Sequence, residues 1–165
     1  MSKRRDIEKL IKEFDEVWYK RWGRVYEPGL TDRRFEIKVE EVKAEGALLE
    51  KGAPKTCEAF WKTLPIEGYI IHAAWSGDMV RVLGAVELPV MELENVMRYC
   101  FPGGVTFDPD EKELAIAYGV HEFRMPSGSH RLTVFAKITK NLSDLTKKFT
   151  RTRIEGIKPI TIRRA

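Results

Sequence analysis

Residues 68–78, Gly-Tyr-Ile-Ile-His-Ala-Ala-Trp-Ser-Gly-Asp, constrain the fold more than any other part of the chain. The run is rich in aromatic and β-branched residues and is bounded by Gly68 and Gly77, a pattern typical of a central strand covered on both faces. An unpaired polar ring inside such a strand costs a few kcal/mol. His72 must therefore hydrogen-bond locally or face a cleft, and it marks a place to look for a ligand.

The composition predicts one soluble domain. The chain has 165 residues, enough for a single core, and its 43% apolar and 33% charged residues exclude a disordered or membrane-spanning protein. The first six residues, Met-Ser-Lys-Arg-Arg-Asp, do not begin a signal peptide, so we expect a cytoplasmic protein without a membrane partner. Abundant Lys, Arg and Glu without any Gln is typical of thermophilic proteins.

An amphipathic helix is predicted near the amino terminus. Apolar residues recur at spacings of three, four and seven on one face, at Ile7, Leu10, Ile11, Phe14 and Trp18. We assign residues 1–32 to a helical arm. The aromatic cluster formed by Trp18, Tyr19 and Trp22 covers either the rest of the chain or a second copy. Intramolecular packing is favoured because a single apolar stripe is usually core, and a homodimer through this helix is the alternative.

The remaining patterns predict a chain of short strands with two more helices. Alternating apolar residues in 34–42 indicate a half-buried antiparallel strand. Pro54 suits a first helical turn and Pro65 ends that helix, while Ser143 is predicted to cap a later one. Further strands are predicted at 47–49, 79–83, 85–88, 96–101, 114–118, 131–139 and, as an edge strand, 157–162.

Two motifs carry a resemblance to cyclophilins. The segment Ala53-Pro-Lys-Thr-Cys-Glu-Ala-Phe60 resembles the start of the first long helix of that family, and Ile71-His72-Ala73 falls where cyclophilins have Phe-His-Arg. Residues 53–78, with Ala115-Ile-Ala-Tyr-Gly119, are more similar still to an uncharacterised prokaryotic family with a cyclophilin-like barrel. The resemblance implies a mainly β fold, in which residues 33–165 form a closed antiparallel cyclophilin-like β-barrel with flanking helices.

The resemblance also raises prolyl isomerisation as an alternative function. The catalytic arginine of cyclophilins corresponds to Ala73 here, so that mechanism lacks its guanidinium unless Arg81 or Arg124 supplies one. Asp78 is a further candidate for a catalytic carboxylate. The sequence leaves open whether the protein is an enzyme.

The implied groove on the outside of the barrel is the candidate ligand site. Aromatic surface with a few polar groups is typical of small-molecule and peptide sites. Trp75 and Tyr118 are expected to supply apolar surface, while His72, His121 and Arg124 orient polar or carboxylate groups. We expect a small anionic molecule or a short peptide to bind there.

No metal or other cofactor is expected. His72, His121 and His130 do not stand at metal-ligand spacings, and the acidic turn at 108–113 lacks the calcium-loop pattern. Cys57 and Cys100 are expected to be buried thiols without a disulfide.

The basic carboxyl-terminal tail raises a nucleic-acid-binding module as a second alternative. We do not favour nucleic acid as a partner, because the tail has no aromatic stacking platform and a basic helix face is usually solvated.

Overall fold

The computed structural model describes residues 2–22 and 31–165. Within these residues it contains three α-helices, which are α1 (Ser2–Trp22), α2 (Pro54–Thr63) and α3 (Leu142–Glu155). The strands are β1 (Arg34–Val39), β2 (Val42–Leu48), β3 (Ile66–His72), β4 (Gly77–Val82), β5 (Val96–Met97), β6 (Gly104–Asp108), β7 (Glu113–His121), β8 (Arg124–Met125), β9 (Gly128–Ser129), β10 (Leu132–Lys140) and β11 (Lys158–Arg164). The predicted mainly β fold with an amino-terminal helix is confirmed.

Eight antiparallel strands close into a barrel. They follow the order β2-β1-β11-β3-β4-β7-β6-β10, and the pairing of β10 with β2 completes the circle. The short strand β5 extends one end of β10, and β8 pairs with β9 in a separate hairpin. Closure leaves the barrel without an open edge, which removes the risk of edge-to-edge pairing with other chains. The predicted closed antiparallel barrel is confirmed.

Two apolar clusters lie on opposite faces of the barrel wall. The larger one fills the interior and includes Phe60 from α2 and Phe149 from α3, so these two helices cover the core. The smaller one includes Met79, Ala115 and Phe123. Because side chains alternate between the faces of a strand, Met79 and Ala115 point away from the interior that holds Val80 and Ile116. The smaller cluster is therefore on the outside.

Several predicted strands were wrong in place or extent. The tail strand β11 is not an edge strand, because it pairs with both β1 and β3. Residues 85–88 form no strand, and the strand predicted at 96–101 is limited to Val96–Met97. Helix α3 begins at Leu142 after Asn141, whose backbone is left-handed, so Ser143 lies inside the helix instead of capping it.

The central strand predicted in residues 68–78 is shorter and more exposed than expected. It ends at His72, and Gly77 already belongs to β4. Tyr69 is 53% exposed and Trp75 is 54% exposed, so the prediction of burial on both faces was wrong. A barrel strand turns only one face to the core, and here the other face is largely open.

The predicted amino-terminal helix is confirmed, but its described apolar side chains do not pack into the barrel core. Ile7, Leu10, Ile11 and Val17 are each more than half exposed. The side chains of the aromatic cluster at 18, 19 and 22 lie outside the described residues. Association of two chains through this helix stays a prediction. None of the helices in residues 2–22 and 31–165 combines the length and the apolar character that a membrane crossing requires.

Candidate functional site

A groove of about 300 Å³ lies on the outer face of the barrel. Its floor includes Ile71, Arg81 and Ala115, which are neighbours in register across β3, β4 and β7. The connection after β3 forms one wall, and the hairpin of β8 and β9 with its flanking residues forms the other. The polar and aromatic residues that line the groove are His72, Trp75, Ser76, Arg81, Asp108, Glu111, Glu113, Phe123, Arg124 and His130.

The two walls are joined at Ser76 and Arg124. The backbone N–H of Arg124 donates to Ser76 Oγ at 3.2 Å, and this hydroxyl donates to the Arg124 carbonyl oxygen at 3.3 Å. The Arg124 guanidinium is 3.3 Å from the Glu122 carboxylate but keeps almost half of its side chain exposed. Trp75 stands opposite on the β3 side with its ring half-exposed. The groove thus offers an aromatic surface and an accessible cation at its rim.

His72 is among the residues at the groove, but its ring lies on the interior face of the barrel with Val80 and Tyr118, and both of its ring nitrogens are occupied. Nδ1 donates to the Ala73 carbonyl oxygen at 2.9 Å, and Nε2 accepts from the Tyr118 hydroxyl at 2.7 Å. Burial lowers the pKa of His72, and the nearby charge of Arg153 lowers it further. The ring is therefore neutral near pH 7 and holds β3 against β7.

The structure does not bring Tyr118 or His121 to the groove. Tyr118 lies in the barrel interior against Phe149, where burial raises its pKa. His121 accepts the backbone N–H of Cys100 at Nε2 and donates from Nδ1 to the Gly119 carbonyl oxygen, at 3.0 and 2.9 Å. Of the five predicted ligand-binding residues, the groove contains His72, Trp75 and Arg124.

The side chain of Asp78 also lies outside the groove. Its carboxylate is 2.7 Å from the Arg153 guanidinium and accepts the backbone N–H of Val120 at 2.9 Å. Gly119 leaves space for this carboxylate, because a Cβ there would lie 2.4 Å from Asp78 Oδ2. Asp78 therefore ties β4 to β7 and α3 and does not line the groove.

The sequence did not predict two side-chain pairs that line the groove. Arg81 Nη1 is 3.3 Å from Glu113 Oε2, and burial raises the pKa of Glu113 against the opposing effect of Arg81. His130 Nε2 is 2.8 Å from Asp108 Oδ2. Each pair joins residues more than 20 positions apart, so the fold brings them together and their spacing in the sequence does not reveal the contact.

The residues that the structure describes contain no group of three or more side chains placed to hold a metal ion. Cys57 and Cys100 are free thiols, and burial raises the pKa of each to about 12. A thiol with such a pKa is a poor nucleophile near neutral pH. The chemistry of the groove therefore rests on its imidazole, carboxylate and guanidinium groups.

We expect stability to fall when the pH drops below 6.5, the ordinary pKa of His72. Because the folded state lowers this pKa, the unfolded chain binds the proton first as the solution becomes acidic. The stabilisation is thus complete above 6.5 and is lost as the pH falls toward the lower pKa of the folded state. Urea unfolding from about pH 7.5 to 5 should show a weaker pH dependence in His72→Gln than in the wild type. Parallel curves would contradict this role of His72.

Comparison with known proteins identifies the family of the chain. A family model described as a protein of unknown function, DUF3830, matches residues 35–163, which include the whole groove. The chain belongs to this family. No curated protein matches it.

Two solved structures share the barrel of this DUF3830 chain. The hypothetical protein AF2241 from Archaeoglobus fulgidus has a TM-score of 0.57 at 19% identity, with 83% of this chain and 99% of that one covered. McbB, solved in complex with tryptophan, has a TM-score of 0.58 at 18% identity, with 79% of this chain and 44% of that one covered. Likeness at this identity shows the fold alone, and the relation to cyclophilins stays a prediction.

Proposed function

We propose that the groove binds a small zwitterion, either a free amino acid or a short peptide. The observation that carries this proposal is the mixed charge of the lining. Its carboxyl groups come from Asp108, Glu111 and Glu113, and its guanidinium groups come from Arg81 and Arg124. A ligand with only negative charge meets repulsion from the carboxylates, whereas a zwitterion finds partners for both of its ends.

The size and the rim of the groove support the same ligand class. A volume of about 300 Å³ is at the lower end of the range for small-molecule sites. Arg81 and Arg124 each pair with one carboxylate at 3.3 Å, and we assign the ligand carboxylate to Arg124, whose side chain is 46% exposed. Glu111 is the acceptor for its amine, and Trp75 offers a flat surface for its side chain.

Tryptophan is the first probe. McbB, which has a similar barrel, was solved in complex with this amino acid, whose size and charges meet the requirements above. N-acetyltryptophanamide is the matched control ligand because it keeps the indole ring and removes both charges.

We expect tryptophan or short tryptophan-containing dipeptides to raise the melting temperature of the wild type. A ligand at about one hundred times its Kd adds roughly 2.7 kcal/mol of stability, which is easily measured. The shift should be lost in Trp75→Ala and Arg124→Ala. It should persist in Tyr69→Ala and Arg163→Ala, which remove an exposed aromatic and an exposed cation outside the groove.

Three results would contradict the proposal. One is the absence of a shift with any amino acid or dipeptide. The second is an equal shift with N-acetyltryptophanamide, which would show that charge is not recognised. The third is an equal shift in Trp75→Ala and Arg124→Ala, provided that circular dichroism shows both to be folded.

The two alternative functions have less support. For prolyl isomerisation, Ala73 lines the groove where cyclophilins carry arginine, and the guanidinium of Arg81 is engaged by Glu113, which leaves Arg124 as the candidate for that role. For nucleic-acid binding, much of the basic charge of the tail is neutralised by acidic neighbours. The ion pairs are Lys147–Asp144, Lys148–Glu40, Arg151–Glu155, Arg153–Asp78, Lys158–Glu155 and Arg163–Glu36.

A further inference from the structure

The histidines of this chain differ in what their ring nitrogens do. His72 and His121 each donate from Nδ1 to a backbone carbonyl oxygen and accept a hydrogen bond at Nε2. His130 is bonded through Nε2 to a carboxylate, and within the described residues its Nδ1 has no hydrogen-bond partner. About one third of its side chain is exposed, and it lines the groove. His130 is thus the histidine with a ring nitrogen left for a ligand.

The hydrogen bonds and burial of Asp108 allow it to hold the His130 imidazole in one tautomer. Its side chain is almost fully buried, and its Oδ1 accepts the backbone N–H groups of Asp110 and Glu111 at 3.0 and 3.4 Å. These bonds fix the carboxylate and direct Oδ2 toward His130 Nε2 at 2.8 Å. A carboxylate accepts and does not donate when it is ionised, so the neutral imidazole must carry its proton on Nε2. The lone pair is then on Nδ1.

We propose that His130 and Asp108 form an acid–base dyad that hydrolyses small carboxylic esters bound in the groove. His130 is the catalytic residue, and Asp108 is a positioning residue that fixes its tautomer and offsets the charge of the imidazolium. This arrangement has the same physical logic as the histidine–carboxylate pairs of hydrolases. The inference shares the groove with the proposed function but does not require that the substrate be a zwitterion.

The step balances with water as the co-reactant. Nδ1 of His130 takes a proton from water while the water oxygen forms a bond to the carbonyl carbon. The alcohol oxygen leaves with the electron pair of the broken C–O bond and takes the proton back from Nδ1. Arg124, which lines the same groove and keeps almost half of its side chain exposed, is the group available to stabilise the negative carbonyl oxygen during the reaction.

A purely structural role does not account for the contact between His130 and Asp108, because other hydrogen bonds already hold both segments in place. The loop that carries His130 is already tied by its backbone N–H, which donates to the Phe123 carbonyl oxygen at 2.7 Å. Oδ1 of Asp108 already closes the turn after β6. A glutamine at 130 also supplies a donor for Asp108 without a basic nitrogen, so His130→Gln separates the structural contact from the chemistry.

Release of p-nitrophenolate from p-nitrophenyl acetate tests the dyad, measured from about pH 5.5 to 8.5. The wild type should exceed an equal concentration of free imidazole. His130→Gln should lower this rate by roughly a hundredfold while the fold persists. His121→Gln, outside the groove, is the matched control and should retain the rate.

Asp108→Asn adds a readout that a structural contact does not change. The asparagine oxygen still accepts the turn N–H groups, but its amide donates to His130 Nε2 and forces the ring proton onto Nδ1. Nitrogen-15 NMR should find the Nε2–H tautomer for His130 in the wild type and the Nδ1–H tautomer in Asp108→Asn, with a matching loss of rate.

The dyad is refuted if the wild type is no faster than free imidazole, if His130→Gln keeps the rate, or if wild-type His130 carries its proton on Nδ1. These outcomes are separable from the proposed function. Ester hydrolysis without amino-acid binding would support the dyad and reject the zwitterion site. Tryptophan binding with full activity in His130→Gln would reject the dyad alone.

Discussion

Replacing Phe60 with alanine should lower the free energy of unfolding by about 3–5 kcal/mol. Phe60 is fully buried on α2, and its ring centroid is 5.4 Å from that of Phe35 and 4.9 Å from that of Phe135. The substitution removes a large apolar side chain and two aromatic contacts from the closed end of the barrel, which cannot collapse to fill the space. Equilibrium denaturation in guanidinium chloride gives this free energy directly.

Lys62→Ala on the same helix is the matched control. Lys62 is largely exposed and pairs with Glu58 one turn away, so its loss should change the free energy by no more than about 0.5 kcal/mol. A loss below about 1 kcal/mol for Phe60→Ala would mean that α2 is not packed on the barrel as described.

Gly46→Ala should cost about 1–3 kcal/mol through overpacking. Gly46 is directly opposite Phe35 in the pairing of β1 and β2, and a Cβ at this position would lie 2.3 Å from the Phe35 ring. The ring cannot move away freely, because Phe35 is fully buried and packs on Phe60. The glycine is therefore required by the space that the ring occupies.

Gly68→Ala on β3 is the control for this second prediction. A Cβ at Gly68 would meet only a methyl group of Val82 at 3.7 Å, which is ordinary contact. An alanine there should be neutral or slightly stabilising, because it reduces the freedom of the unfolded chain. Equal losses in the two variants would contradict the packing of Phe35 over Gly46.

Periodic apolar patterns predicted most of the fold. Phe35, Ile37 and Val39 alternate because their strand has one face in the barrel interior, and all three are fully buried. The apolar stripe that includes Cys57 and Phe60 predicted α2 for the same reason. The tail strand was mistaken for an edge, because Pro159 and the terminal arginines suggest an edge whereas barrel closure places β11 between β1 and β3.

Only some residues of the groove were predicted from the sequence. Trp75 and Arg124 stand out in the sequence by residue type, and both line the groove. The pairing of Asp108 with His130 depends on how the turn after β6 meets the loop before β10. Tyr118 and His121 are close together on β7, but alternation turns Tyr118 into the interior, and His121 is bonded to the Cys100 backbone outside the groove. Such contacts follow from register and loop geometry, which residue spacing does not reveal.

We propose that the outer groove is a ligand site for zwitterions. An NMR titration of the isotope-labelled protein with tryptophan tests it most directly. We expect saturable shifts of the backbone signals of Trp75, Ser76, Arg81 and Arg124 with tryptophan, and no response to N-acetyltryptophanamide. Shifts that are confined to residues outside the groove, or no saturable shift at millimolar tryptophan, would contradict it.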